Sequence, residues 1–341
     1  MQIKYLNIIM NRFLELKSYG LIVLLAVLLS SCASRVPLGS TNDTKTNTAE
    51  QANTPKIAAT LTNISGASPA ADTLKAPNIV SLPKVTPKLA LVLGGGAARG
   101  FAHIGVIQIL EESGIKPNMV VGTSAGSVVA AIYASGKTGA QLQRIADVMD
   151  QSALTDWNMS ILKRGMMRGE ALERFIRQQT GSKNMEQLPL LLGVVATDLQ
   201  SGEGILFQKG DIATAVHASS AVPSVFEPVK IGDREYVDGG LVSPVPVRYA
   251  RQMGADIVVA VDISSAPEGN KSDDMFKILL QTFTIMSKSI SSYELGQADV
   301  LIRPALLGVS SIEFANRQQS IDAGRAAMKQ ALPKLKLLLG S

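Results

Sequence analysis

Two apolar runs in this 341-residue chain each end in glycine and pass straight into a helical pattern, and this repeated junction constrains the fold most. The first run, Lys88 to Leu93, meets Gly94-Gly95-Gly96, and behind it Ala102 to Ser113 carries Ile104, Ile107 and Leu110 on one helical face. The second, Asn118 to Val121, meets Gly122 and then Ser124 to Ser135, a helix of small residues suited to close packing. Further β-rich runs occur at Leu190 to Leu199, Tyr236 to Val237, Asp256 to Ile263 and Asp299 to Arg303. Strand and helix alternating at this spacing predict an α/β fold, a mostly parallel central sheet with helices on both faces. No internal repeat of solenoid length is visible.

The glycine loop after the first run, Gly94-Gly95-Gly96-Ala97-Ala98-Arg99, is built for an anion. Glycine lets backbone N–H groups approach a negative atom, and the next helix points its positive end at the same place. A dinucleotide would require a carboxylate at the end of the second strand, and Met119-Val120-Val121-Gly122 supplies none. A P-loop would require Gly-Lys-Ser/Thr after the glycines, which is also missing. The second strand instead runs into Gly122-Thr123-Ser124-Ala125-Gly126, a G-x-S-x-G turn that holds a serine exposed between strand and helix. A Cβ at Gly122 or Gly126 would collide across that turn.

A serine nucleophile needs a base. The chain has two histidines, His103 and His217. His103, just inside the first helix, reads as a packing or hydrogen-bonding residue, and His217 as a helix surface or helix end. Asp238, in Tyr236-Val237-Asp238-Gly239-Gly240, stands at a strand end before glycines that force a turn.

The glycine loop, the Gly-Thr-Ser-Ala-Gly turn, the Asp-Gly-Gly turn and the stretch Ala218-Ser219-Ser220-Ala221-Val222-Pro223-Ser224-Val225-Phe226-Glu227-Pro228, in this order, closely resemble the patatin-like phospholipases, in particular the bacterial ones. The resemblance runs from about Lys88 to about Ile263 and continues more loosely to Arg325. It implies that Ser124 is the nucleophile and Asp238 its base, a dyad without histidine, metal or cofactor. It makes Gly95, Gly96 and Ala97 the oxyanion-hole donors, with Arg99 bracing their loop. The implied activity is acyl-ester hydrolysis of membrane glycerophospholipid or lysophospholipid. Transfer of the acyl group to an alcohol is the alternative on the same dyad, and a non-catalytic lipid-binding envelope lipoprotein is the alternative of another class. A carboxylate is a poor base towards a hydroxyl unless burial weakens its solvation, so Asp238 is expected to be partly desolvated.

The amino-terminal quarter reads differently. Lys4, Arg12 and Lys17 precede the apolar run Gly20 to Leu29, too short to span a bilayer comfortably but suited to an export signal over residues 1–31. Leu29-Ser30-Ser31-Cys32 resembles the lipobox of bacterial lipoproteins, which implies lipidation of Cys32, the single cysteine of the chain. Met10 also precedes the apolar run and is a second candidate start. Residues 32–87 are rich in Thr, Asn, Ala, Ser and Pro, and 33 to 86 hold no aromatic residue, a composition that predicts a flexible tether ahead of a catalytic domain with a C-terminal helical extension over 88–341. Ala33, where aspartate is absent, resembles lipoproteins destined for the outer membrane, so the expected location is the cell envelope, facing the periplasm.

The net charge of +5 gives no sign of a nucleic-acid partner. Eight Lys/Arg and four Asp/Glu fall in residues 1–87, which leaves 25 and 24 for the rest. Last, Asp156-Trp157-Asn158-Met159-Ser160-Ile161-Leu162 with Met166-Met167 reads as a segment capping the helix that begins near Gly169, with the border of an acyl-chain entrance as the alternative.

Overall fold

The computed structural model describes residues 86–149, 156, 164–264, 275–309 and 314–340. Cys32, the tether and Trp157 lie outside these residues. In chain order the strands are β1 (Leu89–Leu93), β2 (Met119–Thr123), β3 (Gly165–Met167), β4 (Leu191–Asp198), β5 (Gly204–Phe207), β6 (Ser224–Phe226), β7 (Val229–Ile231), β8 (Arg234–Asp238), β9 (Ile257–Val261) and β10 (Val300–Ile302). The helices are α1 (Phe101–Glu112), α2 (Ala125–Ala134), α3 (Gly139–Val148), α4 (Glu170–Thr180), α5 (Ile212–Ser220), α6 (Val247–Gln252), α7 (Met275–Leu295) and α8 (Arg317–Leu339).

The main sheet runs β10-β9-β1-β2-β4-β8-β7, and β5 also pairs with β4. Its five-strand centre from β10 to β4 is parallel, as the alternation of runs predicts. The continuous apolar sequence of β1 reflects burial on both faces. Leu89, Leu91 and Leu93 join the cluster that includes Ile104 and Ile107 of α1, Ala130 of α2 and Met328 of α8. Ala90 and Val92 join the opposite cluster, with Val247 and Ala250 of α6 and Leu295 at the end of α7.

The edge departs from a purely parallel plan. β5 and β8 pair antiparallel with β4, and β7 with β8. The β7–β8 hairpin turns on Gly232-Asp233, with Gly232 at φ 62°, a two-residue turn that suits the twist of paired strands. A separate pair, β3 with β6, lies outside the main sheet.

Helix α8 is a wall of the core. Ile321, Met328 and Leu335 are fully buried, and α8 meets α1 at two glycines. A Cβ on Gly105 would stand 2.0 Å from the Ile321 carbonyl oxygen, and one on Gly324 would stand 2.0 Å from that of Ala102. The sequence reading assigns no element to α7, which carries apolar residues on both its half-buried and its exposed side.

Candidate active site

The site is assembled where β1 and β2 end and β8 arrives from the opposite direction. Thr123 of β2 is level with Val195 of β4, and Asp238 of β8 pairs with the next residue, Ala196. The antiparallel edge therefore brings a carboxylate down beside a serine that the parallel centre sends up.

Ser124 caps α2 with φ 53° and ψ −126°, a conformation that costs a non-glycine residue about 1–3 kcal/mol. The elbow that imposes it is closed by backbone. A Cβ on Gly126 would lie 2.0 Å from the Leu93 carbonyl oxygen, and one on Gly122 would lie 2.5 Å from Gly126 itself. Both glycines of the G-x-S-x-G turn are thus required by close approach. Ser219 completes the mount: its hydroxyl accepts from the Ser124 N–H at 2.9 Å and donates to the Val195 carbonyl at 2.5 Å. Sequence reasoning gives Ser219 no role, although it lies in a stretch that carries the family resemblance.

Asp238 is buried, and its backbone is fixed on both sides. Its N–H donates to the Ala221 carbonyl, and its carbonyl accepts from the Thr197 hydroxyl at 2.8 Å. Oδ1 accepts from the Gly240 N–H at 2.7 Å, whereas Oδ2 is buried without a hydrogen-bond partner. Burial pushes the carboxyl up to about 6, against a smaller lowering by the Ser124 hydroxyl and the Gly240 N–H. The hydroxyl thus stands close enough to act on the carboxyl, just outside ordinary hydrogen-bond geometry. Partial desolvation of this kind makes a carboxylate a better base.

The glycine loop is pinned from three directions. The Gly94 N–H donates to Val261, the Gly95 N–H donates to Pro244, and His103 Nε2 contacts the Gly94 carbonyl oxygen at 2.8 Å. Burial lowers the His103 pKa to about 4, so the ring is neutral at pH 7 and Nε2 carries the proton it donates. Gly95 therefore departs from its expected role: its N–H is spent on the Pro244 carbonyl and is not available to a reacting oxygen. The Gly96 and Ala97 N–H groups, in contrast, have no hydrogen-bond partner among the described residues. Ala97 sits at φ 49°, so the loop as well as the elbow holds a residue in the left-handed region.

Arg99 also departs from its expected role. It is buried, its Nε has no partner, and its guanidinium makes no hydrogen bond among the described residues, so it does not brace the loop by that means. Burial lowers its pKa to about 10, opposed by the charge of Asp262. Asp262 in turn pairs with Arg303 at 3.2 Å.

A cavity of about 290 Å³ opens at Ser124. Its lining is apolar apart from Ser124 and Ser220, and it is drawn from the glycine loop, α1, α2, α3, α4, the ends of α5 and β6, and Phe314 ahead of α8. Val128 and Ile132 line it one and two turns along α2 from Ser124, so it tracks that helix for about 12 Å. Neither Met166 nor Met167 is part of the lining. They belong to β3, and Asp156 before them accepts from the N–H groups of Gly169 and Ala171, capping α4.

His217 is not on a helix surface. It is buried in the last turn of α5, where Nδ1 meets Glu173 Oε1 of α4 at 2.8 Å, and that contact holds the Glu173 carboxyl below the usual range.

Residues 91–251, which hold the elbow, Asp238 and nearly all of the glycine loop's surroundings, match the family model described as patatin-like phospholipase. An uncharacterized NTE family protein of Mycobacterium bovis is 33% identical over 207 residues, covering 61% of this chain and 58% of that protein. Patatin-like phospholipase domain-containing protein 6 of Mus musculus is 33% identical over 191 residues, covering 54% of this chain and 14% of that protein. The chain thus spans little more than half the length of the mycobacterial relative and a small part of the mouse one. The structure of VipD from Legionella pneumophila superposes with a TM-score of 0.49 at 18% identity, covering 73% of this chain and 67% of that one. Residues 91–251 are thus similar to the patatin-like phospholipases, on a mostly parallel central sheet flanked by helices.

Proposed function

We propose that this chain belongs with the patatin-like phospholipases and is a lipid acyl hydrolase in which Ser124 and Asp238 act as a dyad. The observation that carries the reading is Ser124 itself, a strained hydroxyl at the mouth of an apolar cavity beside a buried carboxylate oxygen without a partner. The acyl chain occupies the cavity along α2, where each buried methylene contributes about 0.8 kcal/mol. Ser124 Oγ adds to the ester carbonyl while its proton passes to Asp238 Oδ2. The carbonyl oxygen becomes an oxyanion, stabilised by the unpaired Gly96 and Ala97 N–H groups. Asp238 returns the proton to the departing alcohol, which leaves an acyl-serine. Water then repeats the sequence: its proton goes to Asp238, its oxygen bonds to the acyl carbon, and Ser124 leaves with that proton as the fatty acid departs. Glycerophospholipid and lysophospholipid fit this scheme equally, since only the acyl ester is engaged.

Labelling by an active-site fluorophosphonate tests the reading directly. Wild type should be labelled at Ser124 and should release fatty acid from phospholipid, and Ser124→Ala should do neither. Equal rates in the two proteins would end the serine-hydrolase reading.

The same proposal includes the membrane anchor expected at Cys32, which would keep the enzyme at the envelope bilayer. Cell fractionation checks it: Cys32→Ser should leave the membrane fraction yet keep its rate on a soluble ester, and a variant that stays bound would refute the anchor.

A further inference from the structure

Helix α7 lies outside the residues that match the family model and is built unlike the other surface helices. An ordinary surface helix alternates an apolar inner face with a charged outer one. α4 does so, with Glu170 linked to Arg168 and Arg174, and Glu173 to Arg177. In α7 the inner face holds Leu279, Leu280, Phe283 and Ile290, and the outer face is apolar as well. Ile278 is 54% exposed, Ile285 52%, Met286 47% and Tyr293 80%. At 3.6 residues per turn these four share one half of the helix circumference, interspersed with Thr282, Ser289 and Ser292. Between Met275 and Tyr293 the only charged residues are Lys277 and Lys288, which fall on one flank of that face, and no carboxylate interrupts it.

We propose that the outer face of α7 docks on an anionic lipid surface, lying in the plane of the interface. An apolar stripe flanked by lysine is the composition that binds such surfaces, the stripe entering the acyl boundary and the cations meeting the head groups. No helix of the described residues is long and apolar enough to cross a membrane, so α7 lies on the bilayer and does not span it. The helix is also attached to the reacting groups. The Ser287 hydroxyl donates to the Gly240 carbonyl at 3.3 Å, two residues from Asp238. At its far end Glu294 accepts from the Ser243 hydroxyl at 2.6 Å; Ser243 donates its N–H to Gly239 and accepts from the Thr123 hydroxyl at its carbonyl. A bilayer on α7 is therefore about one helix diameter from the Asp238 loop. The identity of the surface as lipid rests on the lipid-hydrolase reading, but the docking itself does not require turnover.

The test uses the full chain with Ser124→Ala, so that no catalysis intervenes. Because Cys32 is the sole cysteine, Cys32→Ser followed by Ile285→Cys leaves one thiol for a polarity-sensitive fluorophore. A matched control carries the fluorophore on α4 through Arg174→Cys. Vesicles of phosphatidylcholine with phosphatidylglycerol should shift the emission of the probe at 285 to the blue and leave that at 174 unchanged. Lys288→Glu should weaken the vesicle titration roughly fivefold, and raised salt should weaken it further. An unchanged emission at 285 overturns the proposal. So does a blue shift without vesicles that tracks protein concentration, for then the face is covered by a second copy. Failure of the hydrolase reading would appear separately, as an active-Ser124 protein without fatty-acid release whose α7 probe still responds.

Discussion

The two halves of the candidate site are made of different material. The polar half is backbone held by backbone: Gly126 against Leu93, Gly122 against Gly126, Gly95 hydrogen-bonded to Pro244, and Asp238 fixed through Ala221 and Thr197. The apolar half is side chains on several elements, among them Phe101, Ile132, Leu142 and Leu172, which meet around about 290 Å³. Backbone contacts tolerate almost no added atom, whereas an apolar wall can repack around a methyl group or two. On the proposed reading, the chemistry is thereby fixed while the acyl pocket remains adjustable.

The most severe way to break this contrast is Gly126→Ala. Its Cβ would stand 2.0 Å from a carbonyl oxygen that belongs to the central strand, so the elbow has to open. Loss of several kcal/mol and of all activity is expected, read by thermal unfolding and ester hydrolysis. Ser124→Ala should match it in activity, a fall of at least about a thousandfold, while its melting temperature stays at or above that of wild type, since the strained side chain is relieved of nothing but a hydroxyl. A folded and active Gly126→Ala protein would show that the polar half is not held by backbone contact.

Next in size is a pH effect confined to the polar half. Asp238 has its pKa raised to about 6, so between pH 4 and 6 the folded chain holds a proton that the unfolded chain has lost, and stability falls as pH rises. His103, lowered to about 4, does the reverse: between pH 4 and 6.5 the unfolded chain binds the proton, and stability rises with pH. Each amounts to about 3 kcal/mol, and in wild type they nearly cancel over that window. Asp238→Asn should expose the rising slope, and His103→Gln the falling one, in denaturant titrations from pH 4 to 7. Two variants with the same slope would contradict the assignment. Activity should show one acid limb near pH 6, from Asp238 as base, that persists in His103→Gln.

The same division explains what could be read from the residues alone. The parallel centre of the sheet, though not its strand order, the strand-to-helix turn at Ser124 and the strand end at Asp238 were legible, because glycines at fixed spacing record where backbone must pass close to backbone. The cavity was not, because Val128 and Ile132 on α2 share the pattern of any buried helix face, and only the fold shows that Leu142 and Leu172 stand opposite them. The loss of Gly95 as a donor was not legible either, since it depends on where Pro244 falls. The β7–β8 hairpin carried a usable signal in Gly232-Asp233, and α7 carried a helical period that apolar residues on both its faces blur without erasing.

A smaller effect is expected from the apolar half. Ile132→Phe adds bulk two turns from Ser124, so it should slow long-chain esters about tenfold relative to a short-chain ester, whose acyl group does not reach that depth. A chain-length series of p-nitrophenyl esters reads the ratio. An unchanged profile would mean that the acyl chain leaves the cavity before Ile132.

The smallest effect should come from the pair His217 and Glu173, which joins the wall of the cavity to its support and makes no hydrogen bond to Ser124 or Asp238. The imidazole Nδ1 sits 2.8 Å from the Glu173 carboxylate, Nε2 has no hydrogen-bond partner among the described residues, and the ring meets Phe226 of the cavity wall edge-on. A histidine held by a carboxylate is the arrangement of a general base, so the pair is the strongest rival to Asp238. Space argues against it: a Cβ on Gly169 would lie 1.9 Å from Nε2, so the nitrogen that would take a proton is packed against the Gly169 backbone. His217→Gln keeps an amide within reach of Glu173 and should cost about 1–2 kcal/mol of stability, with the short-chain ester rate within about threefold of wild type. The decisive reading is kcat/KM against pH for the two variants side by side. If His217→Gln lost activity as deeply as Asp238→Asn, the base would have to be sought on α5, and the polar half of the site would no longer be the part that backbone contacts define.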